Sequence, residues 1–137
     1  MPAIRHIGIT AEDPAAVGRF YQDVFGFIEV SSGDDAMIVS DGYINVTILK
    51  FKEDIYGGGR PGIHHFGVQV ADFDEAFDKL RTAKSKELVE INRYWNEEYV
   101  AKVGPERLKD GRIKTEVKWV TPDGVLLDIS ESGWDTT

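Results

Sequence analysis

The chain has 137 residues, 42% of them hydrophobic and 29% charged, which suits one ordinary globular domain with a sizeable core. It has no cysteine, so disulfides, thiolate nucleophiles and thiolate ligands are excluded and His, Asp and Glu are left as metal donors. With a net charge of −8, no signal-like N-terminus and no apolar run of about 18 residues, neither nucleic acid nor a membrane is expected as a partner, and a cytoplasmic location is.

Ile4-Arg5-His6-Ile7-Gly8-Ile9-Thr10 alternates as a half-buried strand, with Ile7 and Ile9 on one face and His6, Gly8 and Thr10 on the other. Asp13-Pro14 reads as an N-cap followed by proline at the first helical position. Val17, Phe20, Tyr21 and Val24 follow at helical spacing, and Gly26 is placed to end the helix. Period two then returns in Phe27–Val30, Ala36–Val39 and Tyr43–Leu49, separated by turn residues Gly33-Asp34-Asp35 and Asp41-Gly42. The order is strand, helix, three strands.

Tyr56-Gly57-Gly58-Gly59-Arg60-Pro61 reads as a linker, because consecutive glycines lose much backbone entropy on ordering. The opening theme then repeats. Gly62-Ile63-His64-His65-Phe66-Gly67-Val68-Gln69-Val70 aligns with the first strand at an offset of 59 residues, matching His65 to His6, Gly67 to Gly8 and, beyond the strand, Asp72 to Asp13. Asp72 is a second N-cap with Glu75 three residues on, and Phe73, Ala76, Phe77 and Leu80 form a stripe. The expected organisation is one domain of two modules, about 1–54 and 62–132, joined at 55–61.

The second module is longer. Residues 86–113 read as an insertion rich in aromatics and charge: a lid, with Tyr94 and Trp95 over the pocket, or a surface helix whose Trp95 and Tyr99 pack on the domain or a partner subunit. Lys114–Val120 and Val125–Ser130 read as strands around the turn Thr121-Pro122-Asp123-Gly124, and the tail from Gly133 reads as loose.

Side chains two apart on a strand share a face. If Ile7 and Ile9 pack on the helices, His6 faces the other way, as do His65 and, opposite Leu127 and Ile129, Asp128. Two imidazoles and a carboxylate on one concave face suit a divalent ion with open positions, such as Zn, Fe, Mn, Co or Ni. Asn45, Thr47, Gln69 and Trp119 have the same parity or plausible access and are the candidate substrate-lining residues. His64 has the wrong parity, and Glu131, an odd step from Asp128, should face away unless the strand has ended.

Arg5-His6-Ile7-Gly8-Ile9, the Phe20–Phe27 segment, Gly62-Ile63-His64-His65 and Thr121–Asp128, in this order along nearly the whole chain, resemble the vicinal oxygen chelate superfamily of glyoxalases, methylmalonyl-CoA epimerases, extradiol dioxygenases and bleomycin-binding proteins. The resemblance implies an α+β fold of two βαβββ modules forming an open, cup-shaped mixed sheet around a metal, with helices outside. It places ligands at His6, His65 and, where the family has glutamate, Asp128; the fourth position of some members falls on Thr47. It also implies a homodimer and Lewis-acid stabilisation of an enediolate or other oxyanion on a small molecule chelated through two oxygens, of lyase or isomerase type. The Gly62–His65 phrase resembles the epimerases, but the acidic base of their first module has no counterpart in Ala36–Val39. Ring cleavage by a dioxygenase lacks its further pocket histidine. A metal-free small-molecule-binding protein is the alternative.

Overall fold

The computed structural model describes residues 2–52, 56–92, 108–109, 112–113 and 116–137. The elements are β1 (Ala3–Ala11), α1 (Pro14–Phe25), β2 (Ile28–Ser32), β3 (Ala36–Ser40), β4 (Asn45–Lys50), β5 (Gly62–Gln69), α2 (Phe73–Thr82), β6 (Lys86–Glu87), β7 (Leu108–Lys109), β8 (Arg112–Ile113), β9 (Val117–Val120) and β10 (Leu126–Ser130). Residues 89–92 are also helical. The fold is α+β, with a mixed eight-stranded sheet in the order β2-β3-β4-β1-β5-β10-β9-β6 and a separate β7-β8 pair. That order carries the duplication: β4 lies beside β1 as β10 lies beside β5.

The chain divides into two compact units, one of Ile4–Phe66 with Trp134–Thr137 and one of Gly67–Gly133 with Met1–Ala3. In the first, β1 runs parallel to β4, with His6 opposite Asn45 and Gly8 opposite Thr47, while β3 is antiparallel to both β2 and β4. Asp13 caps α1 by accepting from the Ala16 amide, and Gly26, at φ 70°, closes it in the left-handed conformation that glycine adopts without a Cβ penalty. Ala11, Met37, Val39, Val46 and Ile48 form the core, with Val17 and Tyr21 packed against it.

The helix departs from its predicted stripe at two positions. Phe20 and Val24 are exposed, because the line that meets the sheet is Pro14, Val17, Gly18 and Tyr21. Gly18 suits that close approach: a Cβ would force the Met37 side chain to shift.

In the second unit Asp72 caps α2 through the Glu75 amide, as expected, but the Glu75 carboxylate turns along the helix to Lys79 rather than back to the cap. Phe73 and Phe77 are buried. Leu127 and Ile129 of β10 line, with Val68 of β5 and Ala76 and Leu80 of α2, a cavity of about 440 Å³ on the helix side of the sheet. β9 and β10 are antiparallel, with Asp128 opposite Lys118 and Leu127 opposite Trp119. Of the 86–113 insertion, Lys86–Glu87 pairs with β9 and β7 pairs with β8; Tyr94, Trp95 and Tyr99 lie outside the described residues. No helix among the described residues is long and apolar enough to cross a membrane.

Candidate metal centre

Within the Ile4–Phe66 unit the two repeat histidines meet. Both are buried, and His6 Nε2 stands 3.1 Å from His65 Nε2. The approach depends on Gly8, two residues after His6 on the same face of β1: a Cβ there would fall on the His65 ring. The His-x-Gly phrase thus serves sterics as well as backbone, since the glycine makes the space that the second histidine fills.

The tautomer of His6 follows from its other partner. Asn45 Oδ1 lies 2.8 Å from His6 Nδ1 and also accepts from the Thr47 hydroxyl at 2.7 Å, while Asn45 Nδ2 donates to the Asp135 carbonyl at 2.7 Å. An amide oxygen has no proton to give, so Nδ1 of His6 carries the hydrogen and a neutral ring keeps its lone pair on Nε2. His65 Nε2 then donates to it, and His65 Nδ1 accepts from His64 Nδ1 at 2.9 Å. Trp134 stacks on the His6 ring, with centroids 4.8 Å apart and planes 10° apart. The tail is therefore packed, not loose: Trp134 covers one face of the His6 ring and Asp135 anchors Asn45.

Asn45 and Thr47, expected to line a substrate pocket, are placed behind His6, where they fix its orientation. His64, set aside on parity, reaches His65 because its ring folds across the neighbouring residue, with Tyr56 edge-on to it. The sequence signal for both roles was weak, since side-chain hydrogen bonds of this kind have no fixed spacing.

In the Gly67–Gly133 unit Asp128 is fully buried on β10. Its Oδ1 accepts from Lys118 Nζ at 2.7 Å, and Glu116 Oε2 lies 3.9 Å from the same ammonium. Burial pushes the Lys118 pKa down, but the charges of Asp128 and Glu116 outweigh it and the net shift is upward from 10.5, so the group is held as an ammonium. Trp119, expected beside the substrate, faces the other way. It is wholly buried against Phe77 of α2, with ring centroids 5.1 Å apart. The reason is register: residues opposite one another in an antiparallel pair share a face, so Trp119 goes with helix-facing Leu127 and Lys118 with Asp128. The apolar parity of Val117 and Trp119 held this signal, and it points to Lys118.

Gln69 leans on the turn after β10, with Nε2 3.5 Å from the Glu131 carbonyl. The strand has ended by then, and Glu131 accepts from the Phe73 amide at the start of α2.

The donor set suits a divalent cation. His6, His65 and Asp128 are all buried, and imidazole with carboxylate is the ligand chemistry of Zn, Fe, Mn, Co and Ni. Two nitrogens at roughly 2.1 Å from one ion stand about 3 Å apart, which the histidine pair already satisfies.

The comparisons with known proteins bear on the fold and the family. The fold is shared with hypothetical protein BH1468 from Bacillus halodurans C-125 (14% identity, 99% of this chain and 98% of that one, TM-score 0.65). It is shared with methylmalonyl-CoA epimerase from Mycobacterium tuberculosis (14%, 93% and 86%, 0.59). A Streptomyces coelicolor methylmalonyl-CoA epimerase variant, solved with 2-nitronate-propionyl-CoA, is similar too (19%, 98% and 98%, 0.59). No curated protein matches the chain. The family model for the Glyoxalase/Bleomycin resistance protein/Dioxygenase superfamily matches residues 3–129, and the chain belongs to that superfamily.

Proposed function

We propose that the chain is a metal-dependent enzyme of isomerase or lyase type, in which His6, His65 and Asp128 hold one divalent cation and a small molecule chelates it through two oxygens. The observation that carries this reading is the facing Nε2 pair of His6 and His65, with Asn45 leaving a lone pair on His6. A cation held there supplies Lewis-acid stabilisation for negative charge that develops on a substrate oxygen. The protein's own part is to fix the donors. Asn45 and Thr47 hold the His6 tautomer, Trp134 shields one face of that ring from water, and Gly8 admits the ring of His65. With Nε2 of His65 given to a cation, its hydrogen sits on Nδ1 facing His64, so His64 orients rather than ligates.

The fold shared with methylmalonyl-CoA epimerases favours proton transfer next to a carbonyl as the reaction class. β3, Ala36–Ser40, carries no carboxylate to act as base, so the base is sought elsewhere. Calorimetric titration of metal-stripped protein with Zn, Co or Ni is the test. One equivalent should bind, and His6→Ala and His65→Ala should each weaken it at least a hundredfold. Binding unchanged in both variants contradicts the reading.

A second reading, a metal-free binder of small molecules, is favoured by one observation: the Asp128 carboxylate already holds an ammonium. Failure of the native protein and of the reconstituted protein to take up metal would select it.

A further inference from the structure

Among the described residues, one half-buried cation has no part in the scheme above. Lys118 sits on the same side of the β9-β10 pair as Asp128, its Nζ 2.7 Å from Oδ1, and its side chain is 19% exposed while that of Asp128 is fully enclosed. It is not a surface lysine that happens to lean inward. The Asn92 side chain grips the backbone at that residue from both sides, accepting from the Lys118 amide at 2.8 Å and donating to its carbonyl at 3.1 Å. Leu88 donates from its amide to the same carbonyl. The root of the side chain is therefore fixed, and Glu116 flanks its tip.

We infer that Lys118 is a resident competitor for Asp128: its ammonium occupies the carboxylate that a divalent cation needs and thereby weakens metal binding. This rests on the reading of Asp128 as a ligand. The physical argument is electrostatic. An ion with two positive charges that comes to Asp128 must share the carboxylate with an ammonium or displace it, in surroundings where screening by water is weak. Aspartate sharpens the conflict, because a side chain one methylene shorter than glutamate has less reach with which to serve both cations. The ammonium also neutralises the carboxylate when no metal is bound, so the metal-free protein is spared a lone buried charge. Lys118 acts through Asp128, which makes it a positioning residue.

Lys118→Met removes the charge at similar volume. Lys118→Gln is the second charge-removing variant, and Lys118→Arg keeps the charge. The probe is the metal alone, Zn or Co, added to stripped protein, with affinity read by competition against a chromophoric chelator and folding checked by circular dichroism. Lys118→Met and Lys118→Gln should bind the ion roughly tenfold or more tightly than the native protein, and Lys118→Arg should stay near the native value. A native protein that binds no metal while Lys118→Met binds one equivalent supports the inference in its strongest form. Equal or weaker binding in both neutral variants overturns it. If His6→Ala still abolishes binding in that case, only the role of Lys118 falls; if neither the native protein nor any variant binds metal, the role of Lys118 and the metal reading fall together.

Discussion

The two units hold their polar side chains by opposite means. His6 and His65 hydrogen-bond to neutral groups, the Asn45 amide and a third imidazole, and an indole stacks on His6. Asp128 accepts from an ammonium, itself flanked by a second carboxylate. Neutral hydrogen bonds fix a ring while leaving its charge unchanged, whereas an ion pair compensates the charge of the carboxylate. On the proposed metal reading, the difference teaches that the histidine side offers nitrogen donors to a cation while the carboxylate side already holds one.

The largest effect expected from breaking this contrast is at Asp128. Asp128→Asn leaves the Lys118 ammonium without its full partner and should destabilise the fold by about 3–5 kcal/mol, toward the lower end because Glu116 remains. Urea denaturation measures it. Asp128→Leu combined with Lys118→Met should restore most of that loss, since apolar replacement of a whole buried pair is often neutral; a double variant no better than the single one would show that the pair is not the source.

On the histidine side, Gly8→Ala puts a methyl group where the His65 ring lies. It should cost about 1–3 kcal/mol as an overpacked core and abolish metal uptake, read by denaturation and calorimetry on one preparation. Asn45→Ala is milder on stability, about 1–2 kcal/mol, because only hydrogen bonds are lost. Releasing the His6 tautomer should nonetheless weaken metal binding by about 10–100-fold. Unchanged affinity in Asn45→Ala would remove the orienting role assigned to Asn45.

The smallest effect is in pH dependence, and only the charged side should show it. The Lys118 pKa is raised in the fold, so its contribution is full below about 10.5 and is lost as pH rises through the higher folded value. Denaturation midpoints between pH 9 and 11.5 should therefore fall more steeply for the native protein than for Lys118→Met. Parallel declines would place the ion pair outside the stability account.

Much of this was legible in the sequence where the signal is local or periodic. Asp13-Pro14 and Gly26 bound α1 because caps depend on the few residues around them, and the His-x-Gly repeat with strand parity located His6, His65 and the burial of Asp128. What escaped was set by partners distant in the chain. Trp119 lies on the helix side because the register of β9 against β10, not the residue type, decides which of Lys118 and Trp119 faces the helix. Asn45 and Thr47 have the parity of lining residues, and nothing in their spacing marks the hydrogen bonds that join them to each other and Asn45 to His6. Trp134 and Asp135 lie beyond the last strand, in a tail without periodicity, and they matter because a free indole finds an imidazole to stack on. His64 reaches His65 through its rotamer, which strand parity does not encode.

The central claim concerns ring nitrogens, and the chain has only three histidines. Long-range ¹H–¹⁵N spectra of the imidazoles, recorded as zinc is added to stripped protein, test it directly. At one equivalent, the Nε2 resonances of His6 and His65 should move together to metal-bound positions while His64 keeps both nitrogens unligated. Resonances of His6 and His65 that stay in place at stoichiometric zinc, or a response confined to His64, would contradict the account.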